Sequence, residues 1–207
     1  MAASLSPTKG NLMAVKKQWA LANVGYELMD RKRNVIIREM MALIDRAGVI
    51  QGQIDDAYAQ AYAALQRAQV AHGVCADIAA TIPIEDGLSL KLRSVMGVEL
   101  PLVRLDPAPI ELSYGFQFTS ALLDEAYIWF NTVKQLTVEL AEVENSIYRL
   151  ATAVSKVQKR ANALKNIILP RLAESSAIIS AALEEKERED FSRLKVIKAQ
   201  KQHKQRP

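Results

Sequence analysis

Taken from Leu12 in alternating strides of three and four, the chain presents twenty positions up to Ile78, and nineteen of them are apolar. Half of all its residues are apolar, so chance would supply about ten. Only Arg33 interrupts the series, which runs through Val15, Trp19, Ile36, Ile50 and Ile54 into Ala57, Ala61, Ala64, Ala68 and Cys75. A seam held for nearly ten heptads is buried only by another helix of comparable length. The chain supplies one: the same stride from Leu122 meets fourteen apolar residues in fourteen positions, ending at Ile168. Continued, it would land on Arg171, whereas the stripe resumes at Leu172, Ile179 and Leu183. That one-residue slip coincides with Pro170 and predicts a bend or local unwinding there.

Ser6 and Pro7 read as an N-cap and a first-turn proline. Between the seams, Pro83, Gly87, Gly97, Pro101, Pro107, Pro109 and Gly115 rule out a continuous helix over 81–118. Leu88, Leu90 and Leu92 alternate with Ser89, Lys91 and Arg93, and Val98, Leu100 and Leu102 alternate with Glu99 and Pro101, the period of a β-hairpin turning at Met96-Gly97. An alternative second strand is Leu112, Tyr114, Phe116 and Phe118, with the turn at Asp106-Pro107.

The expected fold is mainly α: a long antiparallel two-helix coiled coil with a short β-hairpin insert at the end opposite the termini. It is read as a single elongated domain over 1–207, comprising an N-terminal helix (7–80), the insert (81–118), a C-terminal helix (119–200) and a basic tail (201–207). Helices of about 70 and 80 residues would span roughly 105 and 120 Å. Setting Ile78 opposite Leu122 puts Lys9 beside Asp190 and leaves the last dozen residues overhanging.

The net charge of +4 is unevenly placed. Residues 1–38 carry +5 and residues 191–207 carry +6, while the stretch between carries −7. Antiparallel helices bring both basic ends to one tip. Eight Gly, seven Pro and twelve aromatics are too few for a turn-rich β protein. One cysteine forms no internal disulfide, and the longest uncharged run, Leu112 to Leu123, falls short of the ~20 residues that cross a bilayer. The reading is a cytosolic chain that meets a membrane only through a partner.

Nucleotide and metal motifs such as GxxxxGK[ST], HExxH and paired Cys are absent from the sequence, and no catalytic residue, cofactor or metal ligand is expected. His72 and His203 lie far apart along the predicted helices, and Cys75 occupies a seam position as a small apolar residue. Arg33 could set the register of the pair, but the preferred reading is that it snorkels to the surface. The basic tail lacks interleaved aromatics, so nucleic acid is not an expected partner. Towards the hairpin the first seam turns to alanine, where burial contributes less than under bulky side chains. Tyr58, Tyr62 and Leu65 flank that stretch, which either receives a docked partner or simply lets two helices approach closely.

Four stretches carry a resemblance: Pro7-Thr8-Lys9-Gly10-Asn11-Leu12; Ser94-Val95-Met96-Gly97-Val98; Arg160-Ala161-Asn162-Ala163-Leu164 leading to Ile168-Leu169-Pro170-Arg171-Leu172; and Glu187 to Lys195. In this order, over residues 6–198, the chain resembles the D subunits of the V-type and A-type rotary ATPases. The resemblance implies a non-catalytic central rotor shaft that couples ATP turnover to proton or sodium transport. Lys9, Lys16, Lys17, Arg193, Lys195 and Lys198 would face the catalytic A and B subunits of the head. Val95, Met96, Gly97 and Val98 would form the family's hairpin, linked to ATPase activity, and Tyr58, Tyr62 and Leu65 would face the small F subunit of the stalk. A socket subunit, C or d, would receive the far end above the membrane ring, with no segment inserted into the membrane and the whole peripheral to it on the cytoplasmic side. The rival reading is a generic coiled-coil tether or adaptor without a rotary role.

Overall fold

A computed structural model describes residues 6–106, 114 and 119–204. The elements in order are α1 (Lys9–His72), the short α2 (Ala76–Ala79), β1 (Leu88–Val95), β2 (Val98–Leu105), α3 (Ala121–Ala163), a π-helical turn (Leu164–Ile168) and α4 (Leu169–Lys204). As expected, the fold is a pair of long helices, α1 against α3 and α4, with one antiparallel hairpin among the described residues.

Every buried residue of α1 is a predicted seam position: Val15, Ile36, Ile50, Ile54, Ala57, Ala61, Ala64 and Ala68. The helix starts slightly later than expected and stops earlier. Thr8, not Ser6, caps it, because the Thr8 Oγ1 accepts the Asn11 amide at 3.2 Å, while the Ser6 carbonyl accepts from the Asn11 side chain. At the other end α1 does not continue to residue 80. Gly73 takes φ of +79° and donates its amide to the Gln69 carbonyl at 2.8 Å, a left-handed cap that costs other residues more than glycine.

The chain forms two compact units, residues 1–33 with 156–207, and residues 34–155. In the first, Val15, Val157, Ala161 and Ile179 are buried. Arg33 reaches the facing helix, donating to the Gln158 side chain at 2.9 Å while pairing with Asp30 at 2.7 Å, which favours the register role over snorkelling. Lys165 lies over the Tyr26 ring at 5.8 Å. The slip predicted near Pro170 is present as the π turn at Leu164–Ile168. A π turn takes up one residue without breaking the helix, which returns Ile179 to the buried side and leaves Arg171 exposed. Lys9 pairs with Glu187 at 2.9 Å rather than with Asp190, about one turn nearer along α4.

In the second unit, Ile50, Ile54 and Val143 form one cluster and Ala57, Ala61 and Val133 the next, with Tyr58 and Leu136 packed on both. Ala68, Cys75, Tyr114 and Leu123 close the series. Arg46 bonds Glu139, and Arg67 bonds Glu125 at 2.9 Å, across the two helices. The hairpin adopts the first predicted register, Val95 opposite Val98 and Leu88 opposite Leu105. Met96 and Gly97 both have positive φ, 51° and 74°, as a two-residue type I′ turn requires. The alternative strand over Leu112, Phe116 and Phe118, and the Pro107 turn, lie outside the described residues.

Candidate partner-docking surfaces

The hairpin lies back along α3. The Arg149 guanidinium donates to the Glu99 carbonyl at 3.1 Å, and the Val103 amide donates to the Glu142 carboxylate at 2.7 Å. Four strand residues cover roughly 13 Å and seven helical residues roughly 10 Å, so the two contacts run in step and β2 is antiparallel to α3. At the open end of the hairpin, Lys134 donates to Glu85 at 2.6 Å. That bond, with the Gly87 amide, holds the Glu85 carboxyl below the usual carboxylate range. Of the four turn residues, Val95 and Val98 are half-buried while Met96 and Gly97 are exposed.

Tyr58, Tyr62 and Leu65 share one face of α1 but have different surroundings. Tyr58 packs into the seam, whereas Tyr62 is 54% exposed and stacks on Tyr58 with ring centroids 5.8 Å apart. Phe130 meets Tyr62 edge-on at 5.7 Å. Leu65 lines a groove of ≈ 790 Å³ with Ile78, Ile82, Tyr127 and Phe130. Tyr58, Tyr62 and Leu65 stand out in the sequence as flanking residues, whereas Phe130, Tyr127 and Tyr114 join the surface only in the structure. Phe130 and Tyr127 flank the second seam, as Tyr58 and Tyr62 flank the first, and that symmetry could have found them. Tyr114 donates to Asp124 at 2.6 Å; burial, then that bond, push its hydroxyl well above the ordinary tyrosine range.

The six basic residues expected at one tip all fall in the first unit, in three environments. Lys9 is engaged by Glu187, whose hydrogen bond raises the Lys9 ammonium and lowers the Glu187 carboxyl. Arg193 lies along its own helix beside Glu189 at 3.6 Å and Asp190 at 3.9 Å. Lys16, Lys17, Lys195 and Lys198 are exposed. Because Glu187 pairs with the first residue of α1, residues 191–204 extend past the start of that helix. The same unit exposes Met13, Leu21, Leu28, Phe191 and Leu194.

His72 bonds the Ser120 hydroxyl at 2.6 Å, and the buried Cys75 thiol donates to the Gly73 carbonyl at 3.4 Å. His203 lies outside the described side chains. No helix among the described residues is long and apolar enough to cross a membrane.

Comparison with known proteins identifies the same lineage across nearly the whole chain. The family described as the D subunit of ATP synthase matches residues 11–199. The D subunit of a V-type ATP synthase from Thermotoga neapolitana is 41% identical, covering 94% of this chain and 97% of the relative. The D subunits of the A-type ATP synthases from Pyrococcus furiosus and Thermococcus sibiricus are 35% and 34% identical, each covering 94% of both chains.

Proposed function

This chain belongs to the family of ATP synthase D subunits, and on that premise we propose that it is the central rotor shaft of a V-type/A-type rotary ATPase. It has no catalytic role of its own. The observation that carries the reading furthest is the surface of the first unit, where Met13, Leu21, Leu28, Phe191 and Leu194 are exposed among Lys16, Lys17, Lys195 and Lys198. Apolar side chains this numerous on a thin helical pair call for a surrounding partner. The catalytic A and B subunits of the head supply one, with the basic side chains contacting their inner wall. Tyr62 and the groove beside Leu65 would meet the small F subunit of the stalk, and a socket subunit, C or d, would hold the shaft above the membrane ring. The chain would sit on the cytoplasmic side of the membrane, peripheral to it.

A pair of helices has no threefold symmetry, so it offers a different face to each of three catalytic interfaces. Nucleotide binding at one interface then favours one shaft angle by its differential affinity for the states, and sequential turnover steps the shaft. Ion flow through the ring drives the same steps in reverse. Torque requires stiffness, which seams sustained on both helices provide.

A single experiment tests this. Cys75 is buried, so Lys17→Cys in the assembled complex gives the chain one exposed thiol on α1. Cross-linking it to the head should stop ATP turnover, and reduction should restore it. Full turnover with the cross-link in place overturns the shaft reading. Recovery of the chain with no ATPase subunit at low salt favours a generic coiled-coil tether instead.

A further inference from the structure

The two edges of the hairpin are not finished alike. The Asp106 amide donates to the Gly87 carbonyl at 3.1 Å and Val95 faces Val98 across the turn, so the odd-numbered residues of β1 direct their backbone groups to β2. Leu88, Leu90, Leu92 and Ser94 therefore direct theirs away from it. On β2 the outward residues are Glu99, Pro101, Val103 and Leu105. Arg149 meets the Glu99 carbonyl, Glu142 meets the Val103 amide, and Pro101 has no amide hydrogen to satisfy. Side chains of α3 thus meet the β2 edge at two points, while no described residue meets the outward groups of β1.

An exposed edge is normally blunted by a proline, a bulge, an inward charge or charged side chains, especially Lys; β1 uses only the last, Lys91 and Arg93, which act against a second basic strand and not against an acidic one. Over its eight paired residues β1 has no proline and an unbroken register. The residues whose backbone groups point away from β2 also expose their side chains on one face: Leu88 is 52%, Leu90 63% and Leu92 58% exposed. The other face carries the exposed Lys91 and Arg93, with the exposed Arg104 opposite a half-buried Ser89. Two copies of β1 pairing edge to edge would set basic residues against basic residues, which disfavours self-association.

We propose that β1 is an acceptor edge for one strand of another subunit of the complex, an extended segment in which apolar residues alternate with Asp or Glu. Its apolar side chains lie beside Leu88, Leu90 and Leu92, and its carboxylates beside Lys91 and Arg93. Main-chain bonds to Leu88, Leu90, Leu92 and Ser94 hold it, in the manner of strand addition to an open sheet. The inference rests on the shaft reading, since it needs a partner subunit, and it gives the hairpin's role a docking mode.

Amide hydrogen exchange, measured on the free chain and on the purified ATPase containing it, tests the edge. On assembly the amides of Leu90, Leu92 and Ser94 should slow by roughly 100-fold or more, as for a strand brought into a sheet. Leu90→Pro removes an outward amide hydrogen and leaves the odd-numbered ladder intact, a position an edge strand tolerates. It should weaken retention of the partner about tenfold or more, as one or two lost main-chain bonds would. Lys91→Glu with Arg93→Glu, which removes no backbone group, should weaken it comparably and with less salt sensitivity. Unchanged β1 exchange in an assembled complex overturns the edge and leaves the shaft reading standing. A β1-dependent dimer of the free chain overturns it by giving the edge to a second copy. Failure to recover any ATPase subunit overturns the shaft reading and the edge with it.

Discussion

Val143 sits where the stiffness of the helix pair can be measured. It is buried between Ile50 and Ile54, with Leu136, Leu140 and Ile147 packed around it. Val143→Ala removes two methyl groups, a transfer loss of about 1.6 kcal/mol at ~0.8 per carbon, to which incomplete collapse of the site adds up to ~1 kcal/mol. Val143→Gly adds the ~1 kcal/mol by which glycine disfavours a helix interior relative to alanine. The expected losses are therefore about 1.6 to 2.6 kcal/mol for Ala and about 2.6 to 3.6 kcal/mol for Gly, read as urea midpoints of the free chain. The pair separates packing from backbone stiffness. In the assembled ATPase, Val143→Gly should lower the number of ions transported per ATP hydrolysed well below the value for Val143→Ala. A loss under ~1 kcal/mol for the Gly variant would refute the packing argument. An assembled Gly complex with the parental transport ratio would refute the claim that this stretch must be stiff.

The acid limb of stability should carry a contribution from Glu85. Its folded carboxyl is held below its ordinary value of 4.5 by Lys134 and the Gly87 amide, so the stabilisation is present above that value and lost as pH falls through the folded one. Urea midpoints taken from pH 7 down to pH 3 should therefore drop further for the parent than for Glu85→Gln. At the hairpin turn, Met96 holds φ of 51°, a conformation Asn tolerates better. Met96→Asn should stabilise the hairpin by up to ~1 kcal/mol, seen as slower exchange of the Val95 and Val98 amides. Gly48 lies inside α1 with nothing within 4 Å of where a Cβ would be. Gly48→Ala should accordingly raise the thermal midpoint, by up to ~1 kcal/mol of added helix stability; a lower midpoint would mean that glycine is needed there for a reason other than space.

Much of the fold was legible because a heptad is a local rule with a global consequence. Each stride of three or four keeps a residue on one helix face, so the buried residues of α1 could be read off by counting. The hairpin was legible for the same reason at a period of two. What escaped were features set by competition between neighbours. Thr8 displaced Ser6 as the cap because its oxygen reaches the Asn11 amide. Helix α1 stopped at Gly73, ahead of seam positions Cys75 and Ile78 that remained apolar in pattern. Lys9 found Glu187 rather than Asp190 because register depends on every break along both helices. For the docking surfaces, Tyr58, Tyr62 and Leu65 were visible as flanking residues, but their separate roles were not, since burial depends on what the facing helix brings.

The sequence by itself determined two long seams, an interrupted insert of period two, two basic ends and a one-residue slip near Pro170. Those are properties of order along the chain, and order alone enforces them. Only the tertiary structure decided that the slip is absorbed in a π turn, that Arg33 bridges to Gln158, and that the hairpin lies along α3. In that last case side chains of α3 meet one edge of the hairpin, and no described residue meets the other. Part of that asymmetry is local, since β2 carries Pro101 and β1 has no proline; the rest arises from Glu142 and Arg149, some forty to fifty residues away, meeting the backbone of one strand and not the other.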